Sequence, residues 1–217
     1  MDNTAKSNHS LSFWVLTVTL TFLFGILLDS FSGFQRECRA LQEDVLRLHI
    51  LANSDSPEDQ GVKLLVRDEL LARTGELFNS ASSLDGAERL AEQNLAEVEE
   101  IAEEVLQKQG FDYSARARVT ELFFDTRVYD GFTMPAGRYH ALQITLGEGE
   151  GHNWWCVLYP PLCVGAASEI EEELTSFTDG ERQVLEAEPE YEIRFFLVEA
   201  AGRIGQWLAS LGFGKAE

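Results

Sequence analysis

An uninterrupted apolar segment near the N-terminus constrains this chain more than any other sequence feature. Leu11–Leu28 contains no charged residue and is rich in leucine and phenylalanine. At 1.5 Å per residue the segment is about 27 Å long, which is just at the limit for a helix that spans a bilayer. Its only polar side chains are small, which disfavours a helix buried in a soluble core. We therefore predict a signal peptide or an N-terminal anchor, and either one places the remainder of the chain outside the cytoplasm.

The residues that follow this segment leave its cleavage open, because Ser30 and Ser32 are small but match a cleavage site only loosely. The chain of 217 residues is 45% hydrophobic, which suffices for one domain with its own core. We predict a signal peptide or anchor over residues 1–32, a linker over 33–44, an extracytoplasmic domain over 45–167, and an acidic linker with an apolar C-terminal segment over 168–217.

Export also decides how the three cysteines are interpreted. In a non-reducing compartment two of them can pair, and Cys156 and Cys163 enclose a short segment that contains Pro160 and Pro161. We predict a disulfide between Cys156 and Cys163, which leaves Cys38 near the apolar segment. The three cysteines and four histidines include no second pair at ligand spacing, so we expect no metal and no other cofactor.

The first half of the domain begins with a clear strand, turn and helix. Apolar residues alternate with polar ones over Leu46–Ile50, which predicts a strand, and Asn53–Ser56 is a turn cluster. Ser56, Pro57 and Asp59 have the form of an N-cap, a first-turn proline and a capping-box acid. The helix that follows is apolar on two sides, which indicates that it packs between other elements.

A second helix and three further strands complete the predicted domain. The helix extends from Leu84 to Gln109, with Ser82 and Asp85 as its capping box and an acidic face exposed to solvent. Strand patterns cover residues 115–124, 139–147 and 153–159. Because helices and strands are grouped along the chain, we predict an α+β fold in which the two helices pack on a small antiparallel sheet.

The C-terminal part has weaker signals. We predict a short helix over Ser168–Ser176 and a mobile linker over Thr178–Pro189. Residues 192–214 are strongly apolar and form either a strand or a helix, which packs on the domain or lies on a membrane or partner.

The charge of the chain excludes one class of partner. A formal net charge of -20 repels phosphate backbones and anionic lipid headgroups, so we expect no nucleic acid to bind. Basic partners and uncharged protein surfaces remain compatible with it.

Two residue pairs have the composition of catalytic pairs, but neither supports catalysis. Cys156 and His152 lie four strand positions apart, which separates them by about 13 Å. His49 and Asp55 are explained by a partly exposed strand histidine and by an aspartate that bonds its own turn. No nucleophile elbow, P-loop, zincin or dinucleotide motif occurs, so we expect that the chain is not an enzyme.

Consecutive tryptophans suggest recognition instead. Trp154 and Trp155 point to opposite faces of a strand, so one can join the core while the other covers the second face or stands exposed. An exposed tryptophan beside Pro160 and Pro161 offers an interface a large area with little entropy to lose. The alternative is that covering elements bury both indoles.

Two segments resemble the stage II sporulation protein R family of endospore-forming bacteria. They are LRLHILANSDSPEDQGVKLLVRDELL at 46–71 and MPAGRYHALQITLGEGEGHNWWCVLYPPLC at 134–163. The resemblance covers residues 45 to 165 and extends to the apolar N-terminal segment and the chain length. The region after Val164 shows no match.

The resemblance implies a signalling role. Members of this family are made in the forespore and exported into the space between forespore and mother cell, either secreted or anchored by the N-terminal segment. The partner implied there is a membrane-embedded aspartic protease of the mother cell, which processes the sigma-E precursor. The membrane is contacted at least transiently through the N-terminal segment.

We infer two contact sites, the Asn53–Ser56 turn and a hairpin over Asn153–Cys163. The predicted partner-binding residues are Asn53, Ser54, Asp55, Ser56, Asn153, Trp154, Trp155, Tyr159, Pro160 and Pro161. The alternative is that both stretches are turns needed for the fold. Two other functions stay open, a cell-wall hydrolase outside the cytoplasm and a carbohydrate-binding protein that stacks sugars on tryptophan.

Overall fold

The computed structural model describes residues 3–129, 132–162, 174–187 and 193–210, in which helices and strands are combined. In chain order the elements are α1 (Asn3–Asp44), β1 (Leu46–Leu51), α2 (Pro57–Asn79), α3 (Leu84–Gln93), α4 (Leu95–Lys108), β2 (Ala115–Phe124), β3 (Arg127–Val128), β4 (Thr133–Met134), β5 (Gly137–Leu146), β6 (Asn153–Tyr159), α5 (Asp179–Leu185) and α6 (Ile193–Ser210). The predicted α+β class is confirmed.

Four of the strands form a sheet in the order β2-β5-β1-β6, and β3 pairs with β4 separately. Strand β1 pairs antiparallel with β6 but parallel with β5, while β2 and β5 are antiparallel. The sheet is thus mixed, and the expectation of a purely antiparallel sheet was wrong for the β1–β5 pair. A parallel pair needs a long crossover, and the connection from β1 to β5 through α2, α3, α4 and β2 provides it.

One face of the sheet is covered by α2, α3 and α4. Apolar side chains from β1, β5 and β6 meet those of the three helices in a continuous core. Its largest members without solvent exposure include Leu46, Leu48, Ile50, Phe78, Ile101, Leu106 and Ile144. At about 25 cal/mol for each Å² of apolar surface removed from water, this cluster holds the helices on the sheet.

The second face is covered by the C-terminal half of α1 together with α5 and α6. Phe34, Cys38 and Leu41 are buried there against Tyr139 and Val157. Residues 33–44 were predicted as a linker, yet they are helical and packed. The spacing of their buried residues is that of one helical stripe, which was overlooked because the segment also carries several charges.

Helix α1 also contains the apolar segment. Side chains of residues 13–26 are exposed, and Phe13–Asp44 is long and apolar enough to cross a membrane, with a mean hydropathy of 1.8 in its most apolar window. Length and composition of this kind fit a signal or anchor segment, as the sequence predicts.

The second predicted helix is two helices. Asn94, with φ of -113° and ψ of 15°, leaves the helical conformation and separates α3 from α4. The N-cap is Ser83, whose hydroxyl accepts from the Gly86 amide at 3.2 Å, and not Ser82 as predicted. The acidic face of α4 is only partly solvated, because carboxylates of Glu99 and Glu103 accept from backbone amides of β2.

The C-terminal part differs from its predicted linker. Thr178 and Glu181 form a reciprocal capping box that starts α5, and Leu185 is fully buried. The interpretation of Thr178–Pro189 as a mobile linker was therefore wrong for the described part, since its acidic residues cap a helix instead of repelling each other. Residues 168–173 of the predicted short helix lie outside the described residues, and the strongly apolar segment that follows contains the helix α6.

Strand β1 is buried on both faces, which the alternation of polar residues did not predict. Arg47 has no solvent exposure, and its guanidinium carbon lies 4.3 Å from the ring centroid of Phe124 and 5.1 Å from that of Tyr139. Its Nε donates to the carbonyl of Cys156 at 3.5 Å. Burial lowers the pKa of Arg47, while the neighbouring Tyr129 and Tyr139 act in the opposite direction and the aromatic faces favour the charged form.

Candidate partner-binding site

The Asn53–Ser56 turn, one of the two stretches predicted to bind a partner, lies beside the Gly147–His152 turn at one end of the sheet. Asn53–Ser56 follows β1, and Gly147–His152 joins β5 to β6, so the pairing of β1 with both strands brings the turns together. Backbone hydrogen bonds join them, from the Glu150 amide to the Asn53 carbonyl at 3.1 Å and from the Gly151 amide to the Ala52 carbonyl at 2.9 Å.

Glycine is required at two positions of the second turn. Gly147 has a φ of +56°, and a Cβ there would lie 2.2 Å from Oδ1 of Asn53, which accepts from the Glu148 amide at 3.0 Å. A Cβ on Gly151 would lie 2.1 Å from the carbonyl oxygen of Ser54. The alternation of glycine and glutamate in this stretch therefore serves a close approach of two backbones.

The carboxylate of Asp59 stabilises the Asn53–Ser56 turn through hydrogen bonds. It is 5% exposed and accepts from Asn53 Nδ2 at 2.9 Å, Ser54 Oγ at 2.6 Å and Tyr113 Oη at 2.7 Å. Burial acts to raise the pKa of Asp59, but hydrogen bonds led by that of Ser54 outweigh it and hold the pKa below its ordinary value. The side chains of Asn53 and Ser54 therefore stabilise the fold through hydrogen bonds within the domain.

Residues near the start of helix α2 form hydrogen bonds with both connecting segments, Asn53–Ser56 and Gly147–His152. Ser56 caps the helix by accepting from the Asp59 amide at 3.1 Å, as the sequence predicts. Lys63 donates to the carbonyl of His152 at 2.8 Å, and Gln60 donates to the carbonyl of Ser54 at 2.9 Å. The site is thus a rigid frame in which side chains, backbone and a helix N-terminus are cross-linked.

Asp55 and His152 form the exposed rim of this frame. Asp55 Oδ1 accepts from the His152 amide at 2.6 Å and contacts the ring Nδ1 at 2.5 Å. Hydrogen bonding by the His152 side chain, followed by that from its backbone, lowers the pKa of Asp55. The two side chains remain 56% and 80% exposed, so a partner can reach both.

Trp155 forms the floor beside the rim. Its indole stacks on the ring of His49 with centroids 4.3 Å apart and contacts Phe124 edge to face at 4.7 Å. Arg127 also lies over the indole ring, with its guanidinium carbon 5.4 Å from the indole centroid. The half-buried indole therefore presents one supported, partly open surface.

His49 is held neutral beneath Trp155. Burial lowers the pKa of His49 to about 4, and the charges of Arg47 and Arg118 act in the same direction, while the side chain of Asn153 opposes them. Nδ1 accepts from Gln143 Nε2 at 2.9 Å, which places the ring proton on Nε2. His49 was predicted to be partly exposed, but it is only 5% exposed because the rings of Trp155 and Phe124 cover it.

The rim and floor border a shallow groove of about 440 Å³. Its lining residues are Asp55, Arg127, Glu150, Gly151, His152, Asn153 and Trp155. Both signs of charge flank an aromatic floor, an arrangement that suits an extended polypeptide with polar and apolar side chains.

The remaining predicted residues lie away from this groove. Trp154 points to the opposite face, as predicted, where Arg67 of α2 covers it at 5.1 Å. Tyr159 lies at the far end of β6, about 20 Å from Asn153 by strand rise. Pro160 is buried and Pro161 half-buried, so this end of the strand is a second, separate location.

The pairs considered for catalysis are not assembled. His49 lies under Trp155, while Asp55 binds His152. Cys156 is buried and disulfide-bonded, and Cys38 retains its thiol inside the second core cluster. Cys163, the partner predicted for Cys156, lies outside the described residues, so that pairing stays a prediction.

Sequence reasoning missed three residues of the site. Arg127 belongs to a strand of only two residues, too short for any periodic signal. Tyr113 and Lys63 act from elsewhere in the chain, and their roles depend on tertiary packing alone. The charge of Lys63 within an otherwise apolar helical stripe was a sequence signal that could have indicated a buried polar contact.

The sequence of this chain matches a known protein family. The family model described as Stage II sporulation protein R matches residues 42–169. A relative from Bacillus subtilis (strain 168), named Stage II sporulation protein R, is 34% identical over 180 aligned positions, which cover 73% of this chain and 80% of the relative. No solved structure matches the chain.

Proposed function

Because the chain belongs to the stage II sporulation protein R family, we propose that it is an exported signalling protein of endospore formation. It activates a membrane-embedded aspartic protease of the mother cell, and that protease then processes the sigma-E precursor. In this role the chain acts as a ligand and does not itself catalyse proteolysis.

The observation that carries the proposal is the extent of the family match. Residues 42–169 contain both turns, the whole groove and all of β6. The matched range therefore includes the residues that assemble the rigid frame around Asp59.

The groove provides a physical reason for a binding role. Cross-linking of the turns by Asp59, Gln60 and Lys63 means that the rim is ordered before any partner arrives, so little entropy is lost on binding. Asp55 and Asn153 are exposed and available for polar contacts, while Trp155 offers an aromatic surface. We propose that the protease binds at this groove.

The N-terminal helix supports the proposed location. An apolar segment that fits a signal or an anchor delivers the domain to the outer side of the membrane of the cell that makes it. We propose that this cell is the forespore and that the chain works in the space between the two membranes.

Reconstitution of precursor processing tests the proposal. The protease, the sigma-E precursor and this chain with its export segment are co-expressed in a host without sporulation genes, and processing is followed by immunoblot. Wild-type chain is compared with one that lacks residues 1–32 and with Asp55→Ala and Asn153→Ala. Both residues are exposed, but Asp55 accepts from the His152 amide and Asn153 bonds the buried His49, so each variant must first show an unchanged thermal transition.

We expect processing with the exported chain, little without residues 1–32, and at least about a fivefold loss for Asn153→Ala, corresponding to about 1 kcal/mol of binding. Gln107→Ala, an exposed amide on α4 that is not part of the groove lining, is the matched control and keeps full activity. Absence of processing with folded, exported wild-type chain contradicts the proposed activity. Full activity of both rim variants contradicts the groove as the contact site.

A further inference from the structure

Three exposed arginines, Arg116, Arg118 and Arg127, lie near the end of the sheet that carries the Gly147–His152 turn. Arg116 and Arg118 are two positions apart on β2, so their side chains share a face of the sheet, and Arg127 comes from β3. In a chain with 37 acidic and 17 basic residues, this grouping departs from the overall charge. It therefore attracts ligands that the rest of the chain repels.

The strand register places arginines at both ends of one row of side chains. Arg118 on β2 is opposite Gln143 on β5, which is also the register partner of His49 on β1. His49 is in turn opposite Trp155 on β6, and the guanidinium of Arg127 lies over that indole. The row crosses three strand spacings, so about 14 Å separates the Cα atoms of Arg118 and Trp155.

Both terminal arginines of the row are held in place without a carboxylate. Arg118 Nε donates to Gln143 Oε1 at 2.7 Å, and the indole of Trp155 supports Arg127. Within the described ranges of the chain, none of the three arginines takes part in an ion pair. Their terminal N–H donors are therefore available to a ligand.

The carboxylates that border these arginines belong to the two turns and are those of Asp55, Glu148 and Glu150. Asp55 already binds His152. Burial is the largest cause of the lowered pKa of His49, and the charges of Arg47 and Arg118 act in the same direction. The arginines thus dominate the potential at the centre of the row, and the acids remain at its rim.

Two shallow grooves lie at the two ends of the row. One of about 320 Å³ is lined by Arg116 and Arg118, and one of about 440 Å³ is lined by Arg127 and Trp155. A planar guanidinium binds a carboxylate through two parallel hydrogen bonds, so both ends are suited to carboxylate side chains. Open grooves about 14 Å apart fit an extended chain that crosses the face better than a compact small molecule.

The charge around the grooves limits the size of an anionic ligand. A long polyphosphate or an anionic membrane covers the acidic surroundings as well, where the net charge of -20 repels it. A short acidic segment stays within about 8–10 Å of the arginines, and charges beyond that distance are largely screened at physiological salt.

We propose that Arg116, Arg118, Arg127 and Trp155 form an arginine surface that binds an extended, acidic segment of a partner protein. Carboxylates of the segment pair with the arginines at the two ends, and the chain between them crosses the row. The inference rests on the proposed function for the identity of the partner, because the groove beside Trp155 is the one assigned to the protease. It adds the chemistry of the segment that enters this groove.

Peptide binding to the purified full chain in dodecyl maltoside micelles tests the proposal. The probe is a fluorescein-labelled peptide of about ten residues with alternating glutamate and serine, long enough to span the row at about 3.3 Å per residue. Comparison peptides carry glutamine or lysine in place of glutamate. Fluorescence anisotropy is measured for wild type, Arg116→Gln, Arg127→Gln and the double variant. Arg89→Gln is the matched control, since Arg89 is an exposed arginine on α3.

We expect the glutamate peptide to bind at least about tenfold more tightly than the glutamine peptide. Each single variant should weaken binding about three- to fivefold, and the double variant at least about tenfold, because the two sites are far enough apart to act independently. Thermal transitions should stay unchanged, since both arginines are exposed. Arg89→Gln should bind like wild type.

Several results would overturn the arginine surface. They are equal binding of the glutamine or lysine peptide, an equal loss in Arg89→Gln, and no saturable binding of the glutamate peptide up to about 1 mM. Loss of peptide binding when phosphatidylglycerol is added to the micelles would assign the arginines to lipid headgroups instead, which also contradicts the proposal.

The processing assay separates this inference from the proposed function. If the acidic peptide binds through the arginines while exported wild-type chain supports no processing, the proposed activity fails and the binding chemistry stands. If processing is intact and the peptide does not bind, the inference fails and the proposed activity stands.

Discussion

Removing the carboxylate of Asp59 should uncouple the two turns of the site. Asp59→Ala leaves Asn53, Ser54 and Tyr113 without the acceptor that they share. A hydrogen bond to a charged group contributes about 1.5–3 kcal/mol to stability. The contributions of three hydrogen bonds that share the two oxygens of one carboxylate do not simply add. We expect the free energy of unfolding to fall by about 4 kcal/mol. Asp59→Asn keeps one acceptor oxygen and should lose about half as much.

The assay is urea denaturation of the full chain in detergent micelles, followed by tryptophan fluorescence, because Trp154 and Trp155 begin the strand after the second turn. Asp112→Ala is the matched control, since Asp112 is exposed and precedes Tyr113 in the chain. Its effect should stay within about 0.5 kcal/mol.

The pH dependence provides an independent check. Because the pKa of Asp59 is lower in the folded state, its contribution is complete above the ordinary carboxyl pKa of about 4 and is lost as the pH falls through the folded pKa. The difference between wild type and Asp59→Ala should therefore shrink below about pH 4. A loss at neutral pH no larger than that of Asp112→Ala would refute the idea that Asp59 holds the turns.

Two further predictions concern residues around the site. His49 is favoured in its neutral form when folded, so wild-type stability should fall as the pH decreases from 6.5 to about 4, by at most about 1.4 kcal/mol for each pH unit. His49→Gln should remove this part of the slope in denaturation at a series of pH values, and an unchanged slope would assign it to other groups. Gly151→Ala should destabilise by more than about 2 kcal/mol because its Cβ collides with the carbonyl of Ser54, whereas Gly61→Ala, in open space on α2, should stabilise by about 0.5–1 kcal/mol. Equal thermal shifts for the two glycine variants would contradict the close approach of the turns.

Local chemistry predicted the local elements well. The N-cap formed by Ser56, the strand that starts at Leu46 and the opposite directions of Trp154 and Trp155 all depend on short spacings, and each is confirmed. The carboxylate of Asp59 was predicted to complete a capping box, but it binds Asn53, Ser54 and Tyr113 instead. The α+β class followed because helices and strands are grouped along the chain.

The pairing of distant strands and the contacts between distant side chains could not be predicted from the sequence in the same way. The parallel β1–β5 pair depends on which strand edges meet after a long crossover, and no residue in either strand encodes it alone. Arg47 was expected to face solvent, because it alternates with apolar residues along β1. In the structure the aromatic faces of Phe124 and Tyr139 replace water around its guanidinium group. The predicted contact residues Asn53 and Ser54 lie in the turn that follows β1, but their side chains form hydrogen bonds inward to Asp59.

The carboxylates of Glu99 and Glu103 on α4 have a consequence for how copies of this chain avoid one another. Strand β2 lies at an edge of the sheet, and an uncovered edge is a template for adding another chain. Glu103 accepts from the Ala115 amide at 3.3 Å, and Glu99 accepts from the Ala117 amide at 2.8 Å. The acidic helix thus occupies donors that a foreign strand needs, which disfavours sheet extension along this part of the edge.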